Sequence, residues 1–270
     1  MRARLAILLF LAATLAGALV FAQSRRAPGQ SARGNVPVWE TDKEFPKDTF
    51  TFARIRYKSW TQRQSMRWDT DYPDSDLNLS YRLQQMTAMR VDPQGKLIEL
   101  TDPDLYNYPF IFMSGVGGLE FDSEDVKALR AYLLRGGFLL VDDFWGPEEW
   151  NNFYREIKKV LPDHEPVELG VEHEIFRMLF PLKEKPQMPN IYMATRNKGS
   201  GITWERPDAK TPHYKAIFDK KGRMMALIMH NTDTGDGWEE EATDPWYFKE
   251  FSEKKAFPLG INILLYIMTH

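Results

Sequence analysis

Short apolar runs alternate with amphipathic stretches along the chain from about residue 50 onward. Phe52–Tyr57, Pro109–Ser114 and Phe138–Asp142 are predicted to be strands. Pro109–Ser114 is apolar almost throughout, which is expected of a strand covered on both faces of a sheet. Because these strands alternate with helical stretches, the pattern indicates βα units around a mostly parallel sheet.

Three amphipathic helices are predicted among these strands. The first covers Asp76–Met89, the second runs from a cap at Asp122 to Gly136, and the third starts at Pro147 and ends before Pro162. Their apolar positions recur every three or four residues, so each helix has one face for the core. These positions are Leu79, Leu83 and Met86; Val126, Leu129 and Leu133; and Trp150, Phe153, Ile157 and Val160.

The second half of the chain is less regular. Ile191–Thr195 is predicted to be a strand, and Lys215–Phe218 with Met224–Met229 is predicted to form a hairpin that turns through Asp219–Gly222. Pro258–Met268 is apolar nearly all round, which predicts a buried final helix. The sequence thus predicts an α/β fold with a mostly parallel sheet and an antiparallel hairpin late in the chain.

The N-terminus has the order of a secretory signal. Arg2 and Arg4 precede an uncharged, largely apolar stretch, Leu5–Ala22, which ends in a small residue. We expect a signal peptide over residues 1–22, with an uncleaved membrane anchor as the alternative. Residues 23–35 are rich in Ser, Arg, Gly and Pro and predict a flexible tether, and residues 36–270 predict one domain. The expected location is therefore periplasmic or secreted.

Composition excludes several kinds of chemistry. The net charge of -3 gives no basic surface for a nucleic acid. The chain has no cysteine, which excludes a lipid-modified cysteine, disulfides, thiolate metal ligands and a cysteine nucleophile. The G-x-S-x-G and H-E-x-x-H motifs are also absent, so ordinary serine hydrolases and zinc proteases are not indicated. No pattern in the sequence indicates an oligomeric state.

Ligands of open α/β sheets bind outside the carboxyl ends of the strands, so the residues that follow each strand are the first candidates. Gly115, Gly117 and Gly118 follow one strand and could offer backbone N–H groups to a ligand. Their spacing matches neither a dinucleotide fingerprint nor a P-loop. The favoured interpretation is a tight turn between strand and helix.

Two adjacent carboxylates, Asp142 and Asp143, end the next strand, and Trp145 follows them. Adjacent carboxylates repel each other unless a cation, a donor or a helix N-terminus offsets them. One interpretation is a metal site, a polar-ligand site or a general base. The alternative, equally weighted, is that one aspartate caps the following helix while the other is solvated.

Acidic and histidine side chains also follow the Met224–Met229 run. The candidates are His230, Asn231, Asp233, Asp236 and Trp238, and Glu239 follows them directly. The group resembles oxygen-rich cation ligation but lacks the spacing of a calcium loop. A surface loop with Asx caps would use the same residues. His173 lies apart between two acids, and the Trp60–Asp76 segment could bring further groups to the rim, although a solvated loop is favoured there.

Four segments together resemble DUF4159, a bacterial family of unknown function: Gly136–Asp163, His173–Phe176, Phe218–Glu239 and Leu259–His270. The resemblance covers about residues 50–270, with Glu174 where the family usually has proline. It implies a three-layer, flavodoxin-like sandwich that is distantly similar to class I glutamine amidotransferase-like and ThuA-like domains. Amidotransferases carry a cysteine near the position of Asp143, so the resemblance does not imply glutaminase activity.

Our leading hypothesis is an exported ligand-binding or assembly domain with a polar and aromatic site at the strand ends. Its tryptophans would suit a carbohydrate or another cell-envelope ligand. The alternative is a hydrolase in which Asp143, with His230 or His173, acts as general base, with a divalent cation as a possible cofactor. A protein–protein scaffold is a third class, and it would expose a broad apolar patch.

Overall fold

A computed structural model describes the chain at residues 37, 39–41, 48–61, 63 and 66–270. The predicted signal peptide, 1–22, and tether, 23–35, lie outside the described residues. Within these ranges the strands are β1 Ala53–Ile55, β2 Lys58–Ser59, β3 Lys96–Ile98, β4 Phe110–Ser114, β5 Leu119–Glu120, β6 Phe138–Asp142, β7 Val167–Glu168, β8 His213–Phe218 and β9 Met224–His230.

Helices connect most of these strands. The α-helices are α1 Asp74–Met86, α2 Ser123–Leu134, α3 Gly146–Val160, α4 Ile191–Arg196, α5 Thr234–Glu239, α6 Pro245–Tyr247 and α7 Phe257–Thr269. A π-helical segment, Phe248–Ala256, joins α6 to α7, and short 3-10 helices lie at Pro103–Asn107, Val116–Gly118 and Glu174–Phe176. Asp122 caps α2, as the sequence predicts, and it forms a reciprocal capping box with Asp125.

Seven strands form one sheet in the order β3-β1-β4-β6-β9-β8-β7. The pairs from β3 to β9 are parallel, while β8 pairs antiparallel with both β9 and β7. Counted along the chain, the five parallel strands have the order 2-1-3-4-5, which is a known doubly wound order. The predicted mixed sheet with a late antiparallel hairpin is confirmed.

The sheet is covered on both faces, because each strand alternates its side chains between two cores. One core includes Leu79 and Leu83 of α1 and the apolar residues of α7. The other includes Leu129 of α2 and Phe153 of α3. Helix, sheet and helix therefore form the three layers of the predicted α/β fold. Among the described residues, every helix is too short or too polar to span a membrane.

The chain leaves β1 and β4 toward opposite faces of the sheet. Helix α1 follows β1 and packs in the first core, whereas α2 follows β4 and packs in the second. The junction between β1 and β4 is therefore a topological switch point, where open α/β sheets form a crevice at the carboxyl ends of their strands. The candidate chemistry must be sought at this edge, called the carboxyl edge below.

One predicted element is wrong. Ile191–Thr195 is helical and forms most of α4, although its side chains have the composition of a strand. The Asn190 side chain accepts a hydrogen bond from the Met193 backbone at 3.0 Å and so caps the helix. The Asn190 backbone N–H in turn donates to Glu205 Oε1 at 2.6 Å. Local capping, which a strand pattern ignores, decides the conformation here.

Candidate functional site

The carboxyl end of β6 places two aspartates inside the protein. Asp142 is fully buried and Asp143 is 3% exposed. Asp143 has a φ of 55°, in the left-handed region that few residues other than glycine adopt. Its Oδ1 accepts a hydrogen bond from Trp145 Nε1 at 3.1 Å. Trp145 occupies the N-cap position of α3, so neither aspartate caps that helix. Both aspartates are buried, so neither is solvated.

The first turn of α5 packs onto the end of β6. Asp233 caps α5, since its Oδ1 accepts from the Asp236 backbone N–H at 2.8 Å. The Gly235 backbone N–H donates to Asp142 Oδ2 at 2.7 Å. These two bonds fix the Asp233 carboxylate beside the two aspartates of β6. The sequence places these groups far apart, but the parallel pairing of β6 with β9 brings them to one edge.

Asp71, in the connection between β1 and α1, completes this group of acids. Its Oδ2 lies against the α-carbon of Gly235, in space that a side chain at that position would occupy. Carboxylate oxygens of Asp71, Asp143 and Asp233 all lie within 4.8 Å of one another. Oxygens of Asp71, Asp236 and Glu239 meet the same condition. We call these five aspartates and glutamates, with Asp142, the acidic cluster.

Burial makes the acidic cluster hard to ionise fully. Burial raises the pKa of Asp71 well above its usual value, and neighbouring carboxylates raise it further. The same causes raise the pKa of Asp143 and of Asp233, while burial raises that of Asp142 to about 7. In the absence of a cation, the cluster therefore holds protons that exposed carboxyl groups would release.

The nearby guanidinium of Arg54 is already engaged. Arg54 is fully buried and binds Asp76 through Nε at 2.9 Å and through Nη2 at 2.5 Å. Its Nη1 donates to the backbone oxygens of Trp68 and Thr70, both at 2.9 Å. Arg54 thus fixes the loop that carries Asp71. Because its guanidinium is paired with Asp76, it compensates the negative charge of the acidic cluster only in part.

Several buried oxygens at this edge have no hydrogen-bond partner among the described residues. They are Asp71 Oδ2, Asp142 Oδ1 and Ser114 Oγ. Ser114 and Asp142 are register partners on β4 and β6, and both are fully buried. Buried polar atoms are usually satisfied, so these oxygens are candidate ligand atoms for a group that binds at this edge. Mg²⁺ and Ca²⁺ are bound by oxygen ligands of this kind.

The three candidate glycines serve mainly the backbone. Gly115 has a φ of 68°, and a Cβ there would lie 2.6 Å from the Arg67 carbonyl oxygen. Its N–H donates to the Asp142 carbonyl at 3.1 Å and is therefore unavailable to a ligand. The Gly118 carbonyl accepts from the Trp60 N–H, whereas Gly117 lines a surface cleft. The favoured interpretation, a tight turn, describes Gly115 and Gly118.

His230 does not join the acidic cluster. It ends β9 and packs its ring on Phe144, with ring centroids 4.7 Å apart, within the core that contains α2 and α3. Its Nε2 lies 3.0 Å from the Gly146 carbonyl, and its Nδ1 has no partner among the described residues. Burial lowers the pKa of His230 to about 4. The expected Asp143–His230 pair is not formed.

His173 lies at the opposite edge of the sheet. Its ring is 5.4 Å from that of Tyr266, and Tyr266 lines a cavity with Phe138 and Met224, the first residues of β6 and β9. The five residues of β6 span about 16 Å, so His173 and Asp143 are separated by roughly the length of a strand. The expected pairing of these two side chains is therefore corrected.

The two candidate tryptophans are not open platforms. Trp238 is fully buried and donates from Nε1 to the Ala256 carbonyl at 2.8 Å. Trp145 is 4% exposed. Asn231 is also fully used, since its Oδ1 accepts from Gly146 N and its Nδ2 donates to the Thr211 carbonyl. These residues are buried inside the carboxyl edge. A sugar ring that stacks on this protein would therefore need a different, exposed aromatic side chain.

Sequence reasoning missed two contributors to this edge, Asp71 and Glu205. Asp71 lies in the Trp60–Asp76 segment, for which a solvated loop was the favoured interpretation. Its Oδ2 is buried, so that expectation is corrected for this residue. Glu205 holds the cap residue of α4, and burial raises its pKa to about 7. The density of acids in the segment was the available signal for Asp71, whereas nothing in the sequence marked Glu205.

The fold and this edge define the class of protein. It is a three-layer α/β protein whose mostly parallel sheet carries a buried carboxylate cluster at its carboxyl edge. The model of one family, described as a domain of unknown function (DUF4159), matches residues 51–268. The chain therefore belongs to the DUF4159 family. No curated protein matches the chain.

Proposed function

We propose that this DUF4159 domain binds a divalent cation through Asp71, Asp143 and Asp233, and that the cation holds an oxygen-rich ligand at the carboxyl edge. The observation that carries the proposal is the convergence of these carboxylates within 4.8 Å from three separate segments of the chain. A second observation concerns one of the three proposed ligands. Asp71 Oδ2 is buried and has no hydrogen-bond partner among the described residues.

The local backbone supports a cation site more than a chance cluster. Asp143 is held by Trp145, and Asp233 is held by its capping bond, so two of the three ligands are oriented before a cation arrives. Gly235 leaves the space in which the Asp71 carboxylate lies. A preorganised set of oxygen ligands favours a hard cation such as Mg²⁺ or Ca²⁺.

The place of action in this proposal is the cell envelope. The support is the arrangement of residues 1–22, with two arginines before an apolar stretch and a small residue at its end. A carbohydrate or another envelope component is the ligand class that suits such a location, since hydroxyl and carboxylate oxygens complete the coordination of hard cations.

Metal-assisted hydrolysis is the second candidate function, and one observation favours it. Asp71 belongs to both acidic groups, so two cations could share its carboxylate. Paired cations in hydrolases activate water and stabilise the leaving oxygen. In this version the carboxylates and cations carry the reaction, because His173 and His230 lie away from the cluster.

Thermal unfolding of the full chain with Mg²⁺ or Ca²⁺ tests the proposal. At one hundred times its dissociation constant, a cation that binds only the folded state stabilises it by about 2.7 kcal/mol. We expect a rise in Tm with one of the two ions, and we expect Asp143→Asn to abolish it. Asp163→Asn, at an exposed position, is the matched control. Equal shifts in both variants, or no shift with either ion, would overturn the proposal.

A further inference from the structure

A cleft of about 620 Å³ opens at the carboxyl edge and is separate from the acidic cluster. Its volume lies within the range of about 300–1,000 Å³ that is usual for ligand sites. Trp60 follows β2, Gly117 follows β4 and Glu148 lies in the first turn of α3, so the cleft lies beside the junction of β1 and β4. A cleft of suitable size therefore lies beside the topological switch point of the sheet.

One wall of the cleft is a polar stripe along α3. Glu148, Asn151, Asn152 and Arg155 have the spacing i, i+3, i+4 and i+7, which puts them on one face of the helix. Asn152 is buried and donates from Nδ2 to the Leu119 carbonyl at 2.9 Å, and its Oδ1 accepts from Arg155. The wall thus presents amide, carboxylate and guanidinium groups on a rigid element.

The other wall carries an open aromatic surface. Trp60 is 58% exposed, although its backbone N–H is fixed to the Gly118 carbonyl at 3.0 Å. Between the walls, a Cβ at Gly117 would lie 2.6 Å from Glu149 Oε2. The cleft is therefore lined by an exposed tryptophan together with polar side chains, which the buried Trp145 and Trp238 do not provide.

The charges in the cleft favour an acidic ligand. Arg63 and Arg155 both line it. The Arg155 side chain is 63% exposed and lies 3.5 Å from Glu156 Oε1, but Glu156 is also paired with Lys159 at 2.7 Å, so the positive charge of Arg155 is only partly compensated. Glu149 is paired with Arg206 at 2.9 Å, and burial raises its pKa, so its charge is largely compensated. Glu148 remains as a hydrogen-bond acceptor on the rim. Guanidinium groups bind carboxylates through paired hydrogen bonds, so such a cleft favours ligands that carry carboxylates.

We propose that this cleft binds a saccharide that carries carboxylates, with the Trp60 indole against a sugar ring and Arg155 on a carboxylate. Asn151 and Glu148 provide a donor and an acceptor for the sugar hydroxyls. Stacking an indole on the apolar face of a sugar ring leaves its hydroxyls free for those groups. The inference goes beyond the cation site and does not depend on it.

Trigalacturonate is the probe, and its fully methyl-esterified form is the matched control ligand. Binding to the full chain is measured by calorimetry, with the acidic cluster left intact. We expect trigalacturonate to bind and the methyl ester to bind at least ten times more weakly. Trp60→Ala and Arg155→Gln should each weaken trigalacturonate binding at least tenfold, while Tyr192→Ala, at another exposed aromatic residue, should leave it unchanged.

Two further measurements keep this outcome distinct from that of the cation site. Asp143→Asn should retain trigalacturonate binding within about twofold, even if it loses the response to cations. Circular dichroism checks that the cleft variants are folded. The inference is overturned if trigalacturonate does not bind at millimolar concentration, if its methyl ester binds equally well, or if folded Trp60→Ala binds like the unmodified chain.

Discussion

The backbone N–H of Gly235 donates to Asp142 Oδ2 at 2.7 Å and so ties the first turn of α5 to the end of β6. The α-carbon of the same glycine faces Asp71 Oδ2. One residue without a side chain therefore brings together acids from the β1–α1 connection and from the end of β6. The geometry of the acidic cluster depends on this contact.

Replacing Gly235 should damage cation binding more than stability. A methyl group in Gly235→Ala overlaps the Asp71 carboxylate, whose flexible end can turn away. We expect the dissociation constant of the cation to rise at least tenfold, while the unfolding free energy changes by no more than about 1 kcal/mol. Calorimetric titration and urea unfolding measure the two effects.

Gly222→Ala is the control for this change. Gly222 lies in the β8–β9 turn with a φ of 85°, and a Cβ there meets open space. Its replacement should cost about 1 kcal/mol through backbone strain and leave cation binding unchanged. If Gly235→Ala bound cations as tightly as the unmodified chain, the assigned position of Asp71 in the site would be wrong.

The Arg54–Asp76 pair should contribute strongly to stability. Arg54 is fully buried, and its replacement by methionine leaves Asp76 without its cationic partner and two backbone oxygens without their donor. Breaking one side of a buried pair costs about 3–5 kcal/mol. Urea unfolding of Arg54→Met should show a loss of this size.

Arg56, two residues after Arg54, offers a matched comparison. It pairs with Glu99 at 2.7 Å, but both side chains are about half exposed. Exposed pairs contribute about 0–1 kcal/mol, so Arg56→Met should unfold almost like the unmodified chain. Similar losses in the two variants would show that Arg54 is not held as the structure indicates.

His230 should make the fold sensitive to acid. Burial lowers its pKa to about 4 in the folded chain, so on acidification the unfolded chain takes up the proton first. Stability from the neutral ring is therefore present above pH 6.5 and is lost as the pH falls toward 4. The loss at pH 4.5 is about 2–3 kcal/mol by the usual conversion.

Comparison with His230→Phe isolates this effect. The buried acids oppose it, since their raised pKa values favour the folded state on acidification, but they are common to both proteins. His213, Lys215 and Glu168, which act on the ring, are also unchanged. Between pH 7.5 and 4.5 the unmodified chain should lose more stability than the variant. Parallel profiles from urea unfolding would contradict the buried neutral state of His230.

The sequence pattern was sufficient for elements whose burial is uniform or whose ends are capped. The apolar runs of β4 and β6 and the reciprocal cap at Asp122 are local signals, and the structure confirms all three. The β8–β9 hairpin is also local, because Asp219 accepts from Lys221 N and Arg223 N within its own turn. The helical conformation of residues 191–196 depends instead on capping and on contacts with Glu205.

The site was less predictable, since it depends on which strand ends meet. Asp142, Asp143 and Asp233 were marked by their position after apolar runs, and parallel pairing brings them together. His173 had no strand before it to give its position, and it lies at the opposite edge. Asp71 joins the cluster through its approach to Gly235, a contact across 164 residues of sequence that no local pattern encodes.

Terbium luminescence tests the cation site most directly. Tb³⁺ is a hard cation that replaces Ca²⁺ on oxygen ligands, and Trp145, bonded to Asp143 at 3.1 Å, is placed to sensitise it. We expect excitation of tryptophan to give saturable Tb³⁺ emission that Ca²⁺ or Mg²⁺ displaces. Asp143→Asn should abolish this emission and Asp163→Asn should retain it. Emission of equal strength and affinity in Asp143→Asn would contradict a cation site at Asp71, Asp143 and Asp233.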